Sequence, residues 1–317
     1  MTRNTSAPPI TTRTAPRPLG LDLWSSAWPL LALANLFWAG NIVLGRGVAG
    51  IVPPIALAYV RWTGAFLIGL GFAWPYLQRD WPVLRRHWRM MLLLSATGVA
   101  SYNTMSYIGL TETTALNALL LQSAMPLVIL VWAFVLFRDR PSLLQTAGVV
   151  VSLLGVVTIA GQGSLETLRH LSIDHGDLWI LGAIAINGSY AASLRLRPKV
   201  HPLSFLVAAM GIGSCMNLPF FLWEEIDVSR IPFDWQALTA LAYIAVFPSF
   251  IAYLFFNRGI ELIGAGRAGQ SMHLMPVFGA VLAVVFLGEQ FHLYHAIGIA
   301  LIAAGIVLAS LRPRPAS

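Results

Sequence analysis

Thirteen polar or aromatic side chains interrupt long apolar runs of this sequence: Trp38, Asn41, Tyr102, Asn103, Ser106, Gln122, Ser123, Asn187, Tyr190, Tyr253, Asn257, Gln270 and His273. Amides, hydroxyls and one imidazole can donate to and accept from a polar solute, and the aromatic rings offer it an apolar face. Such groups are costly to place against lipid, so they are expected on the inner faces of a helical bundle. For any one of them, Asn117 included, an interhelical hydrogen bond worth roughly 1 kcal/mol is an equally good reason to be there. Their concentration in a few apolar runs favours a shared substrate-binding site. No catalytic set is expected: Gly213-Ser214 with His201 or His273 is the nearest approach to a hydrolase pair, and no G-x-S-x-G elbow is present.

The charged residues narrow the chemistry further. All thirteen acidic residues, among them Glu112, Asp139, Glu261 and Glu289, fall at the ends of apolar runs or between them, so no mid-membrane carboxylate is expected as an ion carrier. His273 is then the only clearly intramembrane group that could titrate near neutral pH, a satisfied structural histidine being the favoured reading, and facilitated diffusion or weak proton coupling is the expected energetics. Arg61, the one basic residue inside an apolar run, has two open roles: binding an anionic group, or snorkelling to the surface as an anchor, which is favoured. Cys215 is the only cysteine, which excludes an intrachain disulfide and a multi-cysteine metal site. No cofactor and no metal is expected.

The elements that must position these residues are membrane helices. The 317 residues are 57% hydrophobic and only 10% charged, with a mean hydropathy of +0.72, far from a soluble domain. A bilayer core takes roughly 20 apolar residues per helix. Ten spans are expected, near 27–45, 54–77, 90–110, 114–137, 142–161, 177–194, 203–223, 235–256, 260–287 and 291–311. The alternation that marks membrane strands is absent. The net charge of +7 does not imply nucleic acid, because the basic residues are scattered through short connectors. With the N-terminus inside, sixteen Arg and Lys lie on inner segments and three on outer ones (Arg46, Arg169 and Arg230), which predicts cytoplasmic termini and a multi-pass protein of the cell (inner) membrane. Residues 1–26 are expected to be a disordered cytoplasmic tail. The lipid bilayer and a small-molecule substrate are the expected partners, and the oligomeric state is open.

The chain also repeats itself. Met125-Pro126 and Met275-Pro276 lie 150 residues apart, and at that shift Asp139 meets Glu289, Gly109 meets Gly259, Gly148 meets Gly298 and Gly155 meets Gly305. Residues 101–160 and 251–310 share twelve identities without a gap, as expected of a duplication. A repeat of five spans enters the membrane from opposite sides in its two copies, the inverted plan of many secondary transporters. Pro126 and Pro276 are expected near the middle of spans 4 and 9, each removing a helix hydrogen bond and serving as a hinge. The glycine pairs of spans 5 and 10 are seven residues apart, as packing surfaces require.

Several stretches carry a family resemblance: "LFWAGNIVLGR", "LAYVRWTGAFLIG", "SYIGLTETTALNALLLQSAMPLVILVWAFVLFRDRPSLLQTAGVVVSLLGVV" and "GEQFHLYHAIGIALIAAGIVL". Over residues 28–311 they resemble the EamA repeats of the drug/metabolite transporter superfamily. The resemblance implies an all-α membrane protein with ten transmembrane helices in two inverted five-helix repeats, 27–161 and 177–311. It also implies a secondary transporter that moves a small polar metabolite, an exporter of an amino acid or related compound, by alternating access. A multidrug exporter of lipophilic compounds is the alternative, though a cavity lacking a carboxylate suits a cation poorly; an intramembrane enzyme is the less favoured rival. Asp139 stands where the family usually has Glu, and residues 185–191 lack a clear Trp-Gly signature.

Overall fold

The computed structural model describes residues 23–138, 142–160, 162–164, 174–232, 234–263, 268 and 271–310. The expectations for residues 1–22, Asp139 and Gln270, and for the side chain of His273, lie outside the described residues. The described residues are helical and contain no strand. A short 3₁₀ turn, Leu23–Ser25, precedes α1 (Ala27–Gly47) and α2 (Pro54–Arg86). Next come α3 (Trp88–Ser95), α4 (Tyr102–Glu112), α5 (Ala115–Gln122), α6 (Met125–Phe137) and α7 (Leu143–Ala160). Helices α8 (His175–Ser193), α9 (Pro202–Trp223), α10 (Trp235–Val246), α11 (Ala252–Ile263), α12 (Leu274–Leu287) and α13 (Leu293–Ser310) complete the bundle.

Four helical stretches have the length and apolarity to cross a bilayer: Ala27–Gly47, Pro54–Arg86, Pro202–Val228 and Trp235–Ile263. The pair α5 and α6, bent by 48°, makes a fifth if counted as one broken span. Helices α7, α12 and α13 are apolar but shorter. The spans read from the sequence are therefore not all present as unbroken crossing helices, because local breaks divide several of them. Large apolar side chains such as Phe72, Phe220, Val285 and Phe286 are more than half exposed. Patches of this kind mark a surface that meets lipid. Several exposed tryptophans sit near helix ends, Trp24 just before α1, Trp28 in its first turn, Trp223 at the end of α9 and Trp235 at the start of α10, where the indole suits a membrane–water boundary. Helix α2 continues well past residue 77, the expected end of its span, and that extension carries Arg79, Asp80, Arg85 and Arg86.

The breaks are duplicated. A π-helical turn, Ala96–Ser101, joins α3 to α4, and a second, Phe247–Ile251, joins α10 to α11 at the same place in the other copy. Side-chain hydroxyls bond to carbonyls in or beside both turns. Thr104 donates to the Ala100 carbonyl (2.7 Å), and Ser249 to that of Ile244 (2.7 Å).

The prolines differ from expectation. Pro126 is the second residue of α6, directly after a break at Ser123 and Ala124, and Pro276 lies in the first turn of α12, after a 3₁₀ turn at Ser271–His273. Neither is a mid-helix kink. The first turn of a helix has no internal use for an N–H at that position, so proline is tolerated there.

Packing relates the two copies by antiparallel pairing. Ser152 on α7 donates to the carbonyl of Ile302 on α13 (3.0 Å). A side chain at Gly155 would sit 2.7 Å from the Gly298 carbonyl oxygen, and one at Gly305 would strike that of Gly148. The small residues thus let the two backbones touch, as the seven-residue spacing predicted. Helices α2 and α9 pair in the same sense. Near the end of α2, the Asp80 carboxylate accepts from the His201 N–H at the start of α9 (2.8 Å). After the end of α9, the Glu224 carboxylate accepts from the Ile55 and Ala56 N–H groups at the start of α2 (3.1 and 2.6 Å). Each carboxylate meets a helix N-terminus, where unpaired N–H groups and the dipole favour negative charge.

Candidate functional site

A buried polar network is built around Arg61 on α2. Sequence reasoning favoured a snorkelling anchor; the structure corrects this, since the residue is only 4% exposed. Its Nη1 donates to the Tyr107 hydroxyl (3.0 Å), which donates to Asn41 Oδ1 on α1 (2.6 Å). The guanidinium also lies 4.8 Å from the centroid of the neighbouring Trp62 ring. Among the described residues no carboxylate forms an ion pair with it, and its Nε meets no acceptor.

The aromatic residues form a collar contributed by both copies. Trp38 of α1 meets Tyr253 of α11 edge-on at 5.4 Å and Phe256 at 5.1 Å. Its indole N–H donates to the Pro248 carbonyl in the second π turn (3.0 Å). Trp62 approaches the other side of Tyr253 at 6.3 Å. Tyr102, the first residue after the first π turn, donates its hydroxyl to Gln122 Oε1 (2.8 Å), bridging α4 to the end of α5. Gln122 Nε2 is buried with no acceptor among the described residues.

The remaining expected residues have varied placements. Asn103 and Ser106 are buried on α4, and Ser106 donates to the Tyr102 carbonyl (2.8 Å). Ser123 lies at the α5–α6 break and donates to the Leu120 carbonyl (2.5 Å). On α8, Asn187 approaches Met125 Sδ at 3.9 Å, and Tyr190 packs against Gly98 of the first π turn, where any side chain would collide with its ring. Asn257 is partly exposed on α11. The structure thus links Asn41, Tyr253 and Trp38 through Tyr107, Arg61 and Trp62 and pairs Tyr102 separately with Gln122, while Ser106 and Ser123 spend their hydroxyls on their own helix turns.

Two residues central to this arrangement, Tyr107 and Trp62, were not singled out from the sequence. Tyr107 follows Asn103 by four residues and so shares its helix face, a signal that would have found it. A second buried network was also missed. Asp177, fully buried at the start of α8, accepts from Thr113 (2.5 Å) and Asn117 (3.4 Å). Asn117 Oδ1 meets His295 Nε2 of α13 (2.9 Å). The His292 N–H donates to His295 Nδ1 (3.0 Å), which leaves Nε2 as the donor to Asn117. Among the described residues, Asp177 at the start of α8, Glu224 just after α9 and Asp80 near the end of α2 are buried rather than solvated. His295 is itself buried, at 2% exposure.

One end of the bundle is closed by ties between elements. Arg46, at the end of α1, donates to the Leu110 and Thr111 carbonyls at the end of α4 (2.9 and 3.0 Å). The Glu289 carboxylate, just beyond α12, accepts from the Ala115 and Leu116 N–H groups that begin α5 (both 2.8 Å). Arg46, Thr111, Thr114, Glu224 and Glu289 line a cavity of about 660 Å³ at this end. Arg79, Asp80, Arg197, Lys199 and His201 line one of about 710 Å³ elsewhere, where the extension of α2 meets α9. Among the described residues no group of three or more His, Cys, Asp or Glu is arranged to hold a metal ion.

Apolar helices with lipid-facing surfaces, paired copies and a polar, aromatic centre define a multi-pass membrane protein of the transporter class. The model of the EamA-like transporter family matches residues 26–161 and 174–311, and the chain belongs to that family. It is 29% identical over 223 residues to the "Uncharacterized transporter YyaM" of Bacillus subtilis (strain 168), covering 69% of this chain and 72% of the relative. It is 26% identical over 296 residues to the "Probable terminal-alkyne amino-acid exporter" of Streptantibioticus cattleyicolor, covering 93% and 95%. A solved protein structure superposes with a TM-score of 0.58 at 22% identity, covering 90% of this chain and 96% of the other. That likeness concerns the fold alone.

Proposed function

We propose that this transporter exports an amino acid or a closely related small polar metabolite across the cell membrane by alternating access. The observation that carries the reading is the central cluster. Trp38, Asn41, Arg61, Trp62, Tyr102, Tyr107 and Tyr253 combine hydrogen-bonding groups with aromatic faces where the two copies meet. A small solute with one polar end and one apolar end suits such a place. The likeness over nearly the whole chain to a protein named as a probable amino-acid exporter points the same way. A buried guanidinium opposes the alternative substrate, a lipophilic cation.

The proposal includes ten transmembrane passages in two inverted repeats, with cytoplasmic termini in the inner membrane. The end closed by Arg46 and Glu289 then faces outside. The paired π turns and the breaks before Pro126 and Pro276 lie at corresponding positions of the two copies. They serve as flexible joints, one set per repeat, around a fixed centre. No cofactor enters this mechanism.

The test is transport by the purified full-length chain in liposomes. Vesicles loaded with radiolabelled L-phenylalanine or L-threonine should release it faster than protein-free vesicles and show counterflow when the unlabelled compound is added outside, with the solute recovered chemically unchanged. Recovery of a converted product would favour an enzyme, and absence of protein-dependent release would reject amino acids as substrates.

A further inference from the structure

The least satisfied buried group near the centre is Arg61. A charge held away from water is strongly disfavoured unless it is paired or well hydrogen-bonded. Here the partners are neutral: the Tyr107 hydroxyl on Nη1 and the face of Trp62. Holding Nη1 in this way fixes the guanidinium and leaves its other edge, Nε and Nη2, without an acceptor among the described residues. That edge presents two parallel N–H groups, the fork that a carboxylate takes with both oxygens. Trp62 Nε1 and Gln122 Nε2 are further buried donors that meet no acceptor. Arg61 thus carries an unmatched donor and positive charge beside the Trp62 ring, which meets Tyr253 and through it Trp38.

We infer that the free edge of Arg61 is the subsite for the carboxylate of the transported solute, with the aromatic collar taking its apolar part. This rests on the reading of the chain as an exporter of amino-acid-like compounds and makes it specific: the carboxylate, rather than the ammonium, is the group that this transporter selects. Tyr107 and Asn41 act through Arg61 as positioning residues. The remainder of the solute is held by stacking, which tolerates different side chains.

The experiment compares matched solutes that differ at the carboxyl group. Proteoliposomes containing wild-type protein, Arg61→Lys or Arg61→Gln are loaded with radiolabelled L-phenylalanine or L-phenylalaninamide, with protein-free vesicles as blanks. The wild type should release the acid faster than the amide by a factor on the order of ten or more, as expected of a charge-assisted pair. Arg61→Gln should abolish that preference, and Arg61→Lys should retain part of it, since an ammonium keeps the charge but loses the fork. As a readout independent of variants, L-phenylalanine should protect Arg61 of the wild type from phenylglyoxal, followed by peptide mass mapping, where L-phenylalaninamide and inorganic phosphate do not.

Equal release of acid and amide by the wild type would overturn the subsite and leave the transporter reading intact. Release of neither would reject both. If Arg61→Gln slowed acid and amide alike and kept their ratio, Arg61 would be a structural residue and the inference would fail. Should Arg61→Gln not fold, the wild-type ratio, Arg61→Lys and the protection pattern decide. Phosphate protecting as well as the amino acid would overturn the assignment to a carboxylate.

Discussion

Glu289→Gln tests the closure at the Arg46 end. The wild-type carboxylate accepts two hydrogen bonds of 2.8 Å from the first N–H groups of α5. Glutamine keeps one acceptor but turns an NH₂ toward the second N–H, so one charge-assisted bond is lost and two donors face each other. A hydrogen bond to a charged group contributes roughly 1.5–3 kcal/mol, so the open form of this end should gain about 10- to 150-fold in population relative to the closed form. The readout is a cysteine at Ser106, buried on α4, in a Cys215→Ser background, because Cys215 is itself exposed. Labelling of intact cells by a membrane-impermeant maleimide should accelerate by that factor when opening is faster than labelling. Glu225→Gln is the control, since among the described residues Glu225 accepts only from the Ile231 N–H of its own connector (3.0 Å) and should leave the rate unchanged. A Glu289→Gln rate within about twofold of the parent would refute the idea that this carboxylate holds the closed end.

Further outcomes follow from the same geometry. Reporter fusions at residue 165 should read outside and at residue 199 inside; the reverse at either site would reject the proposed topology. Pro126→Ala and Pro276→Ala occupy first-turn positions, so each should cost well under the roughly 3 kcal/mol of an interior proline problem. If the breaks are joints of inverted halves, the two variants should shift labelling of the Ser106→Cys reporter in opposite directions, whereas equal rates would make the prolines passive. Gly155→Leu drives a side chain into the Gly298 carbonyl and should lower the thermal midpoint by the equivalent of about 1–3 kcal/mol. Gly71→Leu, which meets nothing within 4 Å, should be nearly neutral, and equal midpoints would contradict the α7–α13 contact.

Much of the architecture was legible along the chain. The 150-residue shift that aligns Gly148 with Gly298 and Gly155 with Gly305 also marks the helices that pair, because glycines seven apart can only lie on one face. The polar residues inside apolar runs were rightly read as interior for Asn41, Asn103, Ser106, Asn117 and Gln122, each of which is buried. The helix breaks were harder to see. Pro126 and Pro276 announced them but not their form, since proline is compatible with either a kink inside a helix or the first turn of a new one. The π turn at Ala96–Ser101 has no proline at all.

The amino-acid sequence by itself determined the class of protein, because apolar length, sparse charge and an internal repeat are properties of the chain that no folding alters. Only the tertiary structure decided which way Arg61 turns, that Tyr107 and Asn41 hold it, and that Glu224, Glu289 and Asp80 close helix N-termini far away in sequence. In water, an amphipathic stripe shows which face of a helix is inside. In a membrane the lipid-facing surface is as apolar as the packed one, so the rotation of each helix leaves little trace in its sequence, and the contacts that set it come from residues 46 to 174 positions away.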